Sequence, residues 1–289
     1  MKKFERAVTS QDGTRLHVTG FGETVHPPVL LLHGGGQTGW SWRKTAHSLV
    51  QQEWQCLVPD LRGHGKSAFA DGYQLDHFAA DVGYVTDQLC KTPPVAVGAS
   101  LGGVSALMAQ AERPMLRALV LVDIVPDWES NGIEQIIAFL KSYPEGFASV
   151  DEAQQAIAKY LPHRSRPADA TGLKNNLRQR NGRWHWHWDP KLLAAVTQHV
   201  AQWPERITRA CRSISIPTLL ISGERSEVVS ERGAKRLLEL IPHAQHVVIK
   251  DAHHMVAGDS NQPFTAAVLD FLRTLTGTDY RNEDSLCLA

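Results

Sequence analysis

Residues 94–106 read P-V-A-V-G-A-S-L-G-G-V-S-A: an apolar run halts on Ser100, held between Gly98 and Gly102, and an Ala-rich helical stretch, V-S-A-L-M-A-Q-A, follows from Val104. A strand that turns sharply into a helix brings neighbouring backbones close, so a side chain at either glycine would collide. The turn lifts the Ser100 hydroxyl beyond the end of a sheet, over a helix N-terminus whose dipole favours negative charge. G-x-S-x-G between a buried strand and a helix is the setting of a nucleophilic serine.

The flanking chain repeats the same type of strand. Continuous apolar runs occur at V-L-L-L-H-G (29–34), C-L-V-P-D-L (56–61), A-L-V-L-V-D-I (118–124), T-L-L-I-S-G (218–223) and H-V-V-I-K-D (246–251), with helical patterns between them. Strands lacking a polar face, interleaved with helices, predict a parallel sheet covered on both sides. Two earlier segments, A-V-T-S and R-L-H-V-T-G-F, flank Asp12-Gly13, a hairpin signal, and predict an antiparallel opening pair. The fold class is therefore α/β, with a mostly parallel central sheet of about eight strands flanked by helices.

One gap is too long for a single crossover. Between Ile124 and Pro217 the segments I-E-Q-I-I-A-F-L-K-S and V-D-E-A-Q-Q-A-I-A-K-Y-L carry apolar residues at helical spacing. This predicts a helical lid inserted after the sixth strand. The division is a core of residues 1–124 and 217–277, an insertion over 125–216, and a loose tail over 278–289.

Composition narrows the function classes. The 289 residues are 43% hydrophobic, and 30 Lys plus Arg balance 30 Asp plus Glu, so no sustained basic field exists to attract nucleic acid or an anionic membrane. The start lacks the apolar stretch of an export signal, and no run approaches the roughly 18 apolar residues of a membrane span. Cys56, Cys90, Cys211 and Cys287 are scattered without C-x-x-C pairing, which reads as free thiols in a reducing, cytoplasmic setting. The partner expected is a small molecule, and oligomeric state is left open.

With its strand and helix flanks, Gly98-Ala99-Ser100-Leu101-Gly102 resembles the nucleophile elbow of the α/β-hydrolase fold superfamily, specifically its serine-bearing, lidded esterase- or perhydrolase-like members. The resemblance implies a histidine base after the last strand. V-V-I-K-D-A-H-H-M-V offers His253 and His254; alignment on the following Met255-Val256 makes His254 the base and puts His253 where the family commonly has glycine. The acid is expected after T-L-L-I-S-G, where Gly223-Glu224-Arg225-Ser226-Glu227 supplies Glu227; the alternative acid is Asp123, at the end of the preceding strand. A serine needs such a base to take its proton, and the base needs a carboxylate to fix its tautomer.

The same resemblance assigns an oxyanion hole to the backbone N–H groups of Gly35, in L-L-L-H-G-G-G-Q-T-G-W, and of Leu101. D-L-R-G-H-G-K-S (60–67) resembles the family's next loop, with Asp60 and Arg62 tying down a glycine-bearing turn. In the insertion, G-R-W-H-W-H-W-D-P alternates Trp184, Trp186 and Trp188 with His185 and His187, which in an extended segment puts the tryptophans on one face. Trp184 and Trp186, together with Trp40, are expected to bind substrate. The H-x-H pair lacks a third ligand at suitable spacing, and no metal or organic cofactor is implied.

These residues predict a serine hydrolase of esters, thioesters or lactones acting on a small, largely apolar substrate through an acyl-enzyme on Ser100. Relatives that open epoxides or remove halides use a carboxylate in that slot, so serine argues against both activities. C–C bond hydrolases and perhydrolases share the constellation and stay open. So does a protein that binds a ligand on this fold without turnover.

Overall fold

The computed structural model describes residues 2–164 and 171–279. Among the described residues there are ten strands: β1 (Lys3–Thr9), β2 (Arg15–Phe21), β3 (Pro28–Leu32), β4 (Gln55–Pro59), β5 (Val95–Ala99), β6 (Ala118–Val122), β7 (Leu177–Arg180), β8 (Arg183–Trp186), β9 (Thr218–Gly223) and β10 (Gln245–Ile249). Eight of them form one sheet in the order β1-β2-β4-β3-β5-β6-β9-β10. The β1–β2 and β2–β4 pairs are antiparallel and all the others parallel. Asp12-Gly13 makes the first turn, with Gly13 at φ +82°.

The helices are α1 (Arg43–Val50), α2 (Leu75–Leu89), α3 (Leu101–Glu112), α4 (Ser130–Lys141), α5 (Val150–Tyr160), α6 (Pro190–His199), α7 (Trp203–Arg212), α8 (Glu231–Leu240), α9 (Val256–Asp259) and α10 (Asn261–Asp279). Side chains alternate across each strand, so one apolar run feeds two cores. Leu30, Leu32, Leu119, Leu121 and Leu220 pack with α2, α3, α7 and α8 on one face. Val29, Leu31, Val120, Val122, Leu219 and Ile221 pack with α1 and α10 on the other. This is why the central strands read as unbroken hydrophobic runs.

The segment between β6 and β9 carries α4 to α7 and also a hairpin, β7–β8, paired from Leu177↔Trp186 to Arg180↔Arg183. That hairpin differs from the all-helical insertion expected. Its turn is Asn181-Gly182, both residues at positive φ (49° and 76°), the chemistry that a tight two-residue hairpin loop requires. At the C-terminal end, α10 runs through Asp279, past the expected start of the tail at 278; residues 280–289 lie outside the described residues. No helix among the described residues is long and apolar enough to cross a membrane.

Candidate active site

The sheet delivers its chemistry at the C-terminal ends of the parallel strands, where α/β folds open their crevices. Ser100 follows β5 and caps α3 with φ 46° and ψ −117°, outside the regions where an L-residue is comfortable. The conformation is held because the backbone around it leaves no room for anything else. A Cβ on Gly98 would lie 2.6 Å from the Gly102 carbonyl group, and one on Gly102 would lie 2.4 Å from Leu32 O. The Ser100 N–H donates to Val122 O at 3.1 Å, which ties the turn to β6.

Asp123, the residue directly after β6, also has positive φ (52°) and a fully buried side chain. Its carboxylate accepts three hydrogen bonds: Gly223 N–H at 3.0 Å, Ser226 Oγ at 2.5 Å and His254 Nδ1 at 2.7 Å. Ser226 Oγ itself accepts from the N–H groups of Val228 and Val229 at 3.1 and 3.0 Å, so its own proton is directed to Asp123. Nonproline strain of this sort persists only where neighbours overdetermine it, and here they do.

Of the two acids expected, Glu227 and the alternative Asp123, it is Asp123 whose carboxylate lies at His254 Nδ1, and Glu227 is placed elsewhere. Glu227 Oε1 pairs with His253 Nδ1, and Glu227 Oε2 reaches only the backbone N–H of His254, at 3.4 Å. Burial alone would push the Glu227 carboxyl up; the hydrogen bond from His253 leads the contributions that override it and hold it below its ordinary value. Glu227 is more exposed than Asp123 and is engaged with His253. His253 in turn stacks on His163 with ring centroids 3.7 Å apart.

Ser100 and His254 line one cavity of about 390 Å³. Its floor comes from the core, through Gly34, Gly35, Leu101 and Val104; its roof comes from the insertion, through Ile133, Ile136 and Leu140 of α4 and Leu192, Leu193 and Val196 of α6. The wall is overwhelmingly aliphatic and aromatic, suited to an apolar ligand. A second chamber of about 270 Å³ adjoins it, sharing Gln37, Ser41, Phe139, Tyr160 and Met255.

The tryptophans expected at the substrate divide. Trp40 and Trp186 line the second chamber rather than the one holding Ser100. Trp184 lines neither: its backbone pairs with Phe147, donating to Phe147 O at 2.8 Å and accepting from Phe147 N–H. The tryptophans in the main cavity are Trp42, Trp128 and Trp203, spread over three separate elements and without a sequence pattern linking them. The alternation around them breaks at β8, since His187 is as buried as Trp186 and Trp188.

Gly35 and Leu101, the residues expected to offer their backbone N–H groups to an oxyanion, both line the main cavity. The Gly34 N–H donates to Gln37 Oε1 at 3.2 Å and the Gly36 N–H to His64 Nε2 at 3.0 Å, while the Gly35 N–H between them has no partner among the described residues. Leu101 opens α3, where a helix leaves its N–H groups without intrahelical acceptors. The loop after β4 is tied down by Asp60 and Arg62, as the resemblance implies. Asp60 accepts from Gly39 and Lys66 N–H, both at 2.8 Å, and the buried Arg62 makes a two-bond fork with Asp81 at 2.7 and 2.6 Å.

Residues 27–260 match the model of the alpha/beta hydrolase fold family, and the chain belongs to that family. Among curated relatives, the mouse (Mus musculus) sn-1-specific diacylglycerol lipase ABHD11 is 29% identical over 258 residues, covering 87% of this chain and 82% of its own. Esterase Rv0045c of Mycobacterium tuberculosis is 27% identical over 267 residues, covering 87% and 83%. Among solved structures, an E-2-(acetamidomethylene)succinate hydrolase superposes with a TM-score of 0.85 at 23% identity, covering 94% of this chain and all of that one. That last likeness is one of fold.

Proposed function

We propose that this chain is a serine-dependent carboxylesterase acting on small, largely apolar esters. The observation that carries the reading is the Asp123–His254 contact at 2.7 Å, with His254 and Ser100 in the wall of one apolar cavity. Asp123 accepts the Nδ1 proton of His254, which leaves Nε2 as the basic nitrogen. That nitrogen takes the Ser100 proton as Oγ attacks the ester carbonyl, and the tetrahedral oxyanion is received by the N–H groups of Gly35 and Leu101. His254 then returns the proton to the departing alcohol. Water, deprotonated by the same imidazole, releases the acid from the acyl-enzyme.

Ester hydrolysis in general is supported by the relatives, among which a lipase and an esterase match over most of this chain. The insertion supports a lid role because it roofs the cavity and contributes much of its apolar wall. Such a roof excludes water and strengthens every electrostatic contact to the reacting carbonyl. A fluorophosphonate probe tests the reading together with p-nitrophenyl esters of rising acyl length. Rapid labelling and turnover, both abolished in Ser100→Ala, are expected; a folded wild-type protein that neither labels nor turns over would overturn it.

A further inference from the structure

The glycine loop under the proposed oxyanion hole is gripped by imidazoles that the reaction itself does not use. His33 Nδ1 donates to Gly34 O at 2.8 Å, and its Nε2 accepts the Leu61 N–H at 2.9 Å. His64 Nε2 accepts the Gly36 N–H at 3.0 Å, and its Nδ1 donates to Arg62 O at 2.9 Å. His187, delivered by the insertion, accepts the Gly65 N–H on Nδ1 at 2.8 Å. The rings form a buried row, with His33 to His64 at 5.1 Å and His64 to His187 at 5.8 Å between centroids. All three are buried to within 1% of full enclosure.

This arrangement fixes two consecutive peptide planes. A trans peptide points its C=O and N–H in opposite directions within one plane. Holding Gly34 O from one side therefore orients the Gly35 N–H, and holding the Gly36 N–H orients the plane that follows. Glycines have no side chain to restrain these planes, so an outside clamp is needed if a donor is to keep one direction. We propose that His64 is a positioning residue of the oxyanion hole: it clamps the Gly35–Gly36 peptide, which together with His33 on Gly34 O fixes both planes that meet at Gly35 and so keeps the Gly35 N–H preorganised, and His187 couples this clamp to the insertion. The proposal rests on the carboxylesterase reading above.

The clamp requires a neutral ring. A proton on His64 Nε2 would set N–H against N–H at Gly36, breaking the contact. Burial, with His33 and His187 nearby, holds the His64 imidazole well below its ordinary value, so the accepting nitrogen is retained at neutral pH. For His187, burial and then His33 push the ring down to about 3, so it too keeps an accepting nitrogen, for the Gly65 N–H. His187 Nε2 has no hydrogen-bond partner and is fully enclosed.

Removing one oxyanion donor costs about 10²–10³ in turnover, so loosening one should cost part of that. In His64→Phe, which keeps volume but has no acceptor, kcat for p-nitrophenyl butyrate should fall about 10- to 100-fold with KM within about threefold. Affinity for a trifluoromethyl ketone, whose adduct carries the oxyanion, should fall by a similar factor. His64→Gln, with an acceptor oxygen, should recover most of both. A folded His64→Phe with unchanged kcat and ketone affinity overturns the proposal, as do equal losses in the two variants or a change confined to KM. Should His64→Phe not fold, long-range 1H–15N spectra of the wild type decide: His64 must carry its proton on Nδ1 and stay neutral below the ordinary imidazole value. A ring protonated on Nε2, or titrating at its ordinary value, overturns the clamp. Wild-type protein that neither hydrolyses esters nor takes the fluorophosphonate sinks the carboxylesterase reading instead, whereas an active wild type indifferent to residue 64 sinks only this one.

Discussion

Ser226 Oγ lies 2.5 Å from Asp123 Oδ2 and occupies the loop after β9, close to where the family resemblance led to an acid being sought. The serine supplies the support and Asp123 supplies the charge. Because two backbone N–H groups already donate to Ser226 Oγ, its proton has one destination. In the proposed triad the position after β9 thus keeps a part, through Ser226, while the carboxylate is that of Asp123 after β6.

From this follows a separation of the two candidate acids. In Asp123→Asn the amide cannot accept the His254 Nδ1 proton in the same way, and kcat on p-nitrophenyl esters should drop on the order of 10⁴-fold, by analogy with a serine-protease triad. Glu227→Gln weakens only the contacts to the His253 ring and the His254 backbone N–H and should remain within about tenfold of wild type. The reverse order of losses would return the role to Glu227.

Most of the framework was legible before any coordinates. The central strands announced themselves because a parallel sheet covered on both faces leaves no polar positions, and the elbow announced itself because its glycines answer to backbone contacts below 3 Å. The acid was not legible in the same way. Asp123 and Glu227 are both carboxylates at strand ends, and what separates them is the approach of β6, β9 and the His254 loop, a three-way packing relation with no spacing signature. Asn181-Gly182 is a legible hairpin signal, but the alternating Trp and His after it equally fit one long extended segment, and only the pairing of β7 with β8 separates the two. The tryptophans of the cavity come from unrelated elements, so no local pattern could have selected them.

Ser226→Ala tests the support directly. Asp123 would keep the Gly223 N–H and His254, while the Val228 and Val229 N–H groups would lose their acceptor. Unfolding by urea should show a loss of about 1–2 kcal/mol, and kcat should fall about tenfold with the Ser100 labelling site intact. No change in either quantity would mean that solvent replaces the hydroxyl without cost.

Gly102→Ala adds a single methyl group at the elbow, 2.4 Å from Leu32 O and 2.7 Å from His33 O. Neither atom belongs to a flexible side chain, so β3 or α3 must shift. Overpacking of this kind costs about 1–3 kcal/mol, and the shift would displace Ser100 at the start of the same helix. Denaturation midpoint and kcat should fall together; a stable variant with normal turnover would show that the elbow has slack.

The buried imidazoles also set an acid limit on stability. His33, His64 and His187 all have depressed values in the folded protein, with burial the leading cause, and His187 reaches about 3. An unfolded histidine titrates near 6.5, so below that pH the unfolded chain binds protons that the native rings refuse, and stability falls as pH falls. For His187 alone the loss between pH 6.5 and 5 is about 2 kcal/mol, at about 1.4 kcal/mol per pH unit, and it continues down to the folded value near 3. His17, raised chiefly by its hydrogen bond to Asp60, works in the opposite sense, gaining stability as pH falls, but it is one ring against four, since burial lowers His246 as well. Urea unfolding at pH 7.5 and at pH 5.0 should therefore differ by at least about 2 kcal/mol, and His187→Gln should reduce the difference by about that amount while keeping an acceptor for the Gly65 N–H. Equal stability at the two pH values would mean that these rings are reached by protons without unfolding.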